Sequence, residues 1–153
     1  MAEEQQPSFQ IEKIYVKDVS LEIPGAPQVF LEAQGPQLEI QVRNESAQFA
    51  DGLYEVAVTV TVTAKAGEKT LFLAEAAQAG IFSVRGVPQE DLEPLLAVAC
   101  PTILYPYARE TISDLVTRGG FPPVLLAPVS FEALYAQRMQ QQAAAGPRIE
   151  LAS

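Results

Sequence analysis

The sequence predicts an α+β fold in which a four-stranded antiparallel sheet carries helices packed on one face. Residues before Gly86 show the period-two alternation of apolar and polar side chains typical of strands, whereas later residues follow a helical period. The chain has 153 residues, of which 48% are hydrophobic, and this suffices for one domain with one core. Because the strands precede the helices instead of alternating with them, we expect an antiparallel sheet.

The first strand is predicted over Phe9 to Glu22, where Ile14 and Val16 interrupt an otherwise regular alternation. A short second strand spans residues 38–42, and residues 46–52 are predicted to form a loop. The third and fourth strands are predicted over residues 54–63 and 70–82, joined by a hairpin connection. The face of the first strand predicted to be apolar comprises Phe9, Ile11, Tyr15, Val19 and Leu21.

Prolines and glycines set the boundaries of the predicted helices. Pro101 is expected to separate a short acidic helix from a longer one, which ends at Gly119-Gly120. Residues 121–128 must be extended because their prolines exclude a helix, and Ser130 caps a last helix. We therefore expect a mobile N-terminal segment over residues 1–8, one domain over residues 9–142 and a mobile tail over residues 143–153.

Charge and composition narrow the range of partners. The formal net charge is −9, with 19 acidic and 10 basic side chains, which argues against nucleic acid and against anionic membrane surfaces. The N-terminus lacks the basic and apolar segments of a secretory signal, and no apolar run is long enough for direct membrane insertion. We expect a cytoplasmic protein whose acidic surface favours basic partners, with plain solubility as the alternative reading of that charge.

The composition also argues against an enzyme. The chain has no histidine and a single cysteine, Cys100, which removes the common nucleophilic pairs and the usual zinc sites. No glycine-rich phosphate loop is present, so we expect neither a cofactor nor a metal. Catalysis by carboxylates stays open as an alternative, although no spacing points to it.

Several long motifs follow one another between about Phe9 and Gln142. They are Ile14-Tyr15-Val16-Lys17-Asp18-Val19-Ser20, Gly25-Ala26-Pro27-Gln28-Val29-Phe30, Gly80-Ile81-Phe82, residues 100–110 (CPTILYPYARE), Arg118-Gly119-Gly120-Phe121-Pro122 and Leu126-Ala127-Pro128-Val129-Ser130-Phe131. With these motifs in this order, the chain resembles the SecB family of protein-export chaperones. Two departures stand out: Ala74 occupies a position where relatives often carry cysteine, and the tail is short and not strongly acidic.

The resemblance implies a cytoplasmic homotetramer, a dimer of dimers, that holds unfolded precursor polypeptides without using a nucleotide. It further implies delivery of these precursors to the SecA translocase ATPase, which docks on a flat acidic sheet surface. The SecA positions fall on Asp18, Glu22, Leu73 and Glu75, and the assembly positions on Tyr15, Ala74, Ala76 and Gln78. The groove for unfolded clients would be lined by Phe30, Tyr107, Phe121, Leu125, Leu126 and Phe131.

Other interpretations of the same residues stay open at this point. Acidic residues on a strand are commonly just a solvated face, and aromatic residues at helical spacing are commonly core. A purely structural oligomerisation module would bury its apolar surface permanently and bind no unfolded chain. Whether the purified protein slows the refolding of a precursor without added nucleotide separates these interpretations.

Overall fold

A computed structural model describes residues 6–151 of the chain, and its side chains as far as residue 144. It contains the predicted four-stranded antiparallel sheet, with strands in the spatial order β1-β4-β3-β2. The two central strands are therefore β3 and β4, and β1 and β2 form the edges. The strands are β1 (Ser8–Glu22), β2 (Gln37–Ala50), β3 (Leu53–Ala66) and β4 (Lys69–Arg85).

The helices follow the strands, as predicted, and they are α1 (Gln89–Pro94), α2 (Cys100–Arg118) and α3 (Phe131–Leu151). The prediction that Pro101 separates two helices is wrong. A π-helical turn, Leu95–Ala99, joins α1 directly to α2, and Pro101 lies within the first turn of α2. Because Pro101 has no N–H to donate to the preceding turn, the π-helical turn before it absorbs the distortion without ending the helix. Within residues 6–151, no helix combines the length and the apolar character needed to cross a membrane.

The predicted boundary signals after α2 are confirmed. Gly120 has φ of +88°, a conformation that favours glycine, and the Phe121 N–H bonds back to the Val116 carbonyl at 3.3 Å. After the extended linker of residues 121–130, the Ser130 hydroxyl accepts a hydrogen bond from the Ala133 N–H at 3.1 Å. The linker thus returns the chain along α2 and starts α3 at a defined point.

The core lies between α2 and one side of the sheet, which we call the helix side. Four residues of α2 at helical spacing are fully buried there, against the even-numbered residues of β3 and β4. The Thr111 hydroxyl of α2 donates to Gln78 Oε1 of β4 at 3.0 Å, which identifies the side of β4 that faces the helix. The four buried α2 residues are Leu104, Ala108, Ile112 and Val116.

Two β-bulges in β1 correct the predicted pattern of that strand. The register shifts between Ile11 and Lys13 and again between Val16 and Asp18, so the side-chain phase reverses twice. Residues directly opposite each other point to the same side, and Ile14 and Val16 lie opposite Gly80 and Gln78 on the helix side. Tyr15, opposite Ala79, lies instead on the other side, which we call the open side.

Other boundaries also differ from the predictions. β2 continues to Ala50, so most of the predicted loop over residues 46–52 is strand. β1 begins at Ser8, within the segment expected to be mobile, and α3 continues to Leu151 across most of the expected tail. Residues 1–5 and 152–153 lie outside the described part of the chain.

A crossover segment, residues 23–36, carries the chain from β1 at one edge of the sheet to β2 at the other edge. It contains one short 3₁₀ helix, Gln28–Leu31, whose Val29 N–H bonds to the Gly25 carbonyl at 2.9 Å. Its route crosses the end of the sheet where the linker leaves α2. The fold thereby brings the crossover segment and the linker together.

The closest approach of α2 to the sheet predicts a stability effect at Gly80. A Cβ at this position would lie 2.9 Å from the Phe82 ring and 3.0 Å from Leu104 Cδ2. We expect Gly80→Ala to lower the free energy of unfolding by about 1–3 kcal/mol, because either α2 or the strand must shift. Urea denaturation at fixed protomer concentration measures this change.

Gly35→Ala is the matched control, because a Cβ at Gly35 meets no atom within 4 Å. If Gly80→Ala were as stable as Gly35→Ala, α2 would not pack on the sheet at this distance.

Candidate functional site

An apolar groove lies between the crossover segment, the linker and one end of the sheet. Its volume is about 530 Å³, and it is open to solvent. The Phe121 ring lies 5.3 Å from the Phe30 ring and 4.9 Å from the Phe72 ring, between centroids, so three elements meet in one aromatic cluster. The apolar side chains that line the groove are Val29, Phe30, Pro36, Leu38, Leu71, Phe72, Phe121, Pro122, Pro123, Val124 and Leu125.

Local backbone features shape this groove. A Cβ on Gly120 would lie 3.1 Å from the Phe30 ring, so glycine is needed there for close approach as well as for its positive φ. In the extended linker, successive side chains point to opposite sides, so Leu125 is 87% exposed while Val124 and Leu126 are buried. The linker therefore presents one large apolar side chain to solvent at the edge of the groove.

Three of the six predicted groove residues line this groove together: Phe30, Phe121 and Leu125. Leu126 and Phe131 do not, because both are buried in the core. The Phe131 ring packs edge-on against Tyr105 with centroids 5.8 Å apart, and the Tyr105 hydroxyl donates to the Ala127 carbonyl at 2.6 Å.

Tyr107, the remaining predicted groove residue, is half exposed on α2 and does not line the groove. It is one turn along the helix from buried Leu104 and next to buried Ala108, so it stands at the margin of the packed face. The predicted set thus separates into three groove residues, two core residues and one surface aromatic.

The four positions that resemble a SecA site lie together on the open side of the sheet. Ser20 of β1 is opposite Glu75 of β4, and Glu22 is opposite Leu73. Asp18 lies two residues before Ser20 on β1 and therefore points to the same side. No helix covers this side in the described residues, and Ala57, Ala77 and other small side chains keep its centre flat. We call these four residues, Asp18, Glu22, Leu73 and Glu75, the acidic patch.

Three side chains on the open side, outside the acidic patch, form a hydrogen-bonded network. The Tyr15 hydroxyl donates to Glu55, and the Lys17 ammonium lies 2.6 Å from Glu55 Oε1. The hydrogen bonds from Lys17 and Tyr15 lower the pKa of Glu55, and the same carboxylate raises the pKa of Lys17. Burial, with the Glu55 contact, raises the pKa of Tyr15 to about 12. At neutral pH each of the three groups therefore keeps its ordinary charge.

The four predicted assembly positions do not form one surface. Ala74, Ala76 and Gln78 lie on the helix side and are buried beneath α2 of the same chain. Tyr15 lies on the open side, and Gln78 Nε2 donates a hydrogen bond to its backbone carbonyl at 3.2 Å. The small side chains do permit close packing, as predicted, but the approaching surface is α2.

Exposed apolar side chains on the helix side of β1 form a different candidate surface for assembly. The bulges place all of them on one side of the edge strand, beyond the area that α2 covers. Isolated exposed apolar residues are ordinary, but a row along an edge strand marks a surface that another chain can cover. The row, called the β1 stripe, comprises Phe9, Ile11, Val16 and Val19.

Sequence reasoning missed most of the residues that line the groove, among them Glu32, Leu38 and Leu71. Leu38 carried a usable signal, since it is the first apolar residue of β2 after the crossover segment. Leu71 carried none, because it sits where the register between β3 and β4 shifts and alternation assigned it to the other side. Glu32 looked like an ordinary loop carboxylate.

Comparisons with known proteins agree with one another. The family model described as "Preprotein translocase subunit SecB" matches residues 2–142. A Methylobacillus flagellatus protein named "Protein-export protein SecB" is 64% identical over 144 residues, covering 94% of this chain and 92% of the relative. The Chromobacterium violaceum protein of the same name is 63% identical over 148 residues, covering 95% and 99%.

A solved structure supports the fold. The SecB-like chaperone of Mycobacterium tuberculosis, in complex with a ChAD peptide from an antitoxin, superposes with a TM-score of 0.66. The two sequences are 22% identical, and the match covers 80% of this chain and 91% of that chain. The four-stranded sheet with its helices is thus an architecture that this chain shares with a known protein.

The Glu55 network predicts a pH-dependent contribution to stability. Because its hydrogen bonds hold the pKa of Glu55 below the value in an unfolded chain, the stabilisation is present above the unfolded pKa. It is lost as the pH falls through the lowered folded pKa. Urea denaturation of the wild type and Glu55→Gln from pH 7 to pH 3 should show two stability curves that converge on acidification.

Glu68→Gln is the control, because Glu68 is an exposed carboxylate between β3 and β4 that makes no hydrogen bond or salt bridge within the described residues. Curves for the wild type and Glu55→Gln that stayed parallel down to pH 3 would contradict the network.

Proposed function

The chain belongs to the SecB family of protein-export chaperones, and we propose that it is an ATP-independent holdase that binds unfolded precursor polypeptides in the apolar groove. We further propose that it works in the cytoplasm and delivers its clients to the SecA translocase at the acidic patch. The observation that carries the proposal is the open groove, because a folded chain seldom leaves a cluster of large apolar side chains uncovered without a partner. An unfolded chain supplies the complementary apolar surface.

The edge strand β2 supplies contacts that do not depend on client sequence. Its outer edge pairs with no other strand in the described residues, so a row of backbone N–H and C=O groups is free. Leu38 belongs both to this strand and to the groove, and Ile40 follows on the same side, about half exposed. An extended client segment can place one apolar side chain in the groove and continue along β2 by strand addition.

Apolar contacts in the groove and strand addition along β2 give each individual site a low affinity for its client segment. Burying a large apolar side chain contributes about 1.5–3 kcal/mol, and much of this is offset by ordering the client. Several subunits that share one long client raise the effective concentration of each further site, so tight overall binding does not require a tight groove. Folded proteins escape because their apolar segments are not exposed.

Assembly into a homotetramer, a dimer of dimers, is part of the proposal. The β1 stripe is the described apolar surface that best suits contact between copies, together with the free edge of β1. Ala74, Ala76 and Gln78 would influence assembly indirectly, since they set the position of α2. A larger residue at any of these three positions would displace the helix and whatever packs against it.

The groove proposal predicts different effects for two leucines of similar exposure. Leu125 is 87% exposed and lines the groove, whereas Leu31 is 85% exposed and does not. We expect Leu125→Ala to weaken binding of an unfolded precursor by about 1 kcal/mol, or roughly fivefold, because the truncated side chain buries less apolar area. Leu31→Ala should bind with wild-type affinity.

The measurement is fluorescence anisotropy of a labelled, reduced precursor segment, with no nucleotide present. Equal effects of the two substitutions would place the client site elsewhere on the molecule.

The acidic patch predicts a separate effect on SecA. Glu75→Lys should weaken SecA binding by about tenfold at low salt, because it reverses a charge at the centre of the patch, and the loss should shrink as salt is added. Client binding should be unchanged, since Glu75 lies on the side of the sheet away from the groove.

Glu45→Lys is the matched control, because it makes the same reversal on the open side of β2, on the order of 15 Å away. Surface plasmon resonance over 50–300 mM salt measures both. A Glu75→Lys protein that bound SecA as well as Glu45→Lys would rule out this patch.

A further inference from the structure

One carboxylate of the acidic patch is held by a neighbouring side chain. The Thr61 hydroxyl of β3 donates a hydrogen bond to Glu75 Oε2 of β4 at 2.8 Å, and the two residues are directly opposite each other in the sheet. Glu75 is half-buried, whereas Asp18 and Glu22, the other carboxylates of the patch, are exposed and form no side-chain hydrogen bond within the described residues. Glu75 is therefore the carboxylate of the patch whose direction the fold determines.

The hydrogen bond sets where this charge points. Ser20 of β1 and Thr61 of β3 flank Glu75 in one row across the sheet, and Thr61 is the neighbour that donates to the carboxylate. The carboxylate is thus drawn towards β3, away from the carboxylates on β1. This arrangement lowers the repulsion among like charges and extends the acidic patch towards the centre of the sheet.

A neutral donor leaves the charge of Glu75 available to a partner. Glu55, on the same open side, lies 2.6 Å from the Lys17 ammonium, so a cation of the same chain already balances its charge. The Thr61 hydroxyl orients Glu75 without balancing it, because a hydroxyl carries no charge. Glu75 Oε1 accepts no hydrogen bond within the described residues and can receive an incoming cation.

We propose that Thr61 is a positioning residue for SecA docking, which holds the Glu75 carboxylate in the direction that receives a Lys or Arg side chain of the translocase. This inference rests on the proposed docking of SecA at the acidic patch. Ordering a flexible side chain opposes association, so a carboxylate that is oriented before the partner arrives binds it more tightly than one that is not.

Thr61→Val tests the proposal, because it removes the hydroxyl and keeps a β-branched side chain suited to a strand. We expect SecA to bind this variant about two- to tenfold more weakly in surface plasmon resonance at low salt. Thr61→Ala also lacks the hydroxyl and should lose affinity in the same way, whereas Thr61→Ser retains it and should bind as the wild type does. Binding of the labelled precursor segment should be unchanged in all three variants.

Thr63→Val is the matched control. Thr63 lies on the same strand and the same side as Thr61, opposite Leu73 of the acidic patch, but its hydroxyl forms no side-chain hydrogen bond within the described residues. The substitution makes the same chemical change beside the patch and should leave the SecA affinity unchanged.

A double-mutant cycle tests whether Thr61 acts through Glu75. In a Glu75→Ala background there is no carboxylate to orient, so Thr61→Val should cause no further loss of SecA affinity. An effect of Thr61→Val that was as large in this background as in the wild type would show that Thr61 does not act through Glu75, and the inference would be wrong.

The remaining outcomes separate this inference from the proposed function. If Glu75→Lys weakens SecA binding but Thr61→Val and Thr61→Ala do not, or if Thr63→Val weakens it as much as Thr61→Val, the inference is wrong while the acidic patch stands. If neither Glu75→Lys nor Thr61→Val changes SecA binding, the acidic patch and the inference are both refuted.

Discussion

The close packing of α2 on the central strands is the constraint on which the rest of the structure depends. Small side chains at Ala74, Ala76 and Gly80 let the helix approach, and the Thr111–Gln78 hydrogen bond fixes its position along β4. One helix covers only the two central strands. The edge strands are covered only in part, with Leu21 of β1 and Val42 of β2 packed against the core, and each proposed binding surface is made of what α2 does not cover.

The sequence predicted the architecture well because its signals were local. Alternation in β3 and β4, the Gly119-Gly120 stop and the Ser130 cap each depend on neighbouring residues, so they could be interpreted without tertiary information. The β1 bulges could not, since an inserted residue changes which side every later side chain faces. That is why Tyr15 was assigned to the wrong side of the sheet.

The candidate-site residues show the same difference between local signals, which the sequence reveals, and tertiary packing, which it does not. Asp18, Glu22, Leu73 and Glu75 came together because they follow the second bulge or lie on regular β4, where alternation holds. In the linker, by contrast, Leu125 and Leu126 are adjacent and chemically identical, and only the packing of the extended chain on α2 decides which one is exposed. Resemblance pointed to this segment but could not distinguish neighbours within it.

The groove and the acidic patch are back to back across a single strand. In β4, Phe72 contacts the aromatic cluster of the groove, while the next residue, Leu73, belongs to the acidic patch on the open side. Because successive side chains of a strand point to opposite sides, the groove and the acidic patch lie a few ångströms apart on opposite sides of the sheet. A molecule bound to one surface therefore does not contact a molecule bound to the other. If the groove binds clients and the acidic patch binds SecA, as we propose, a client in the groove leaves the acidic patch accessible and both partners can be bound at once.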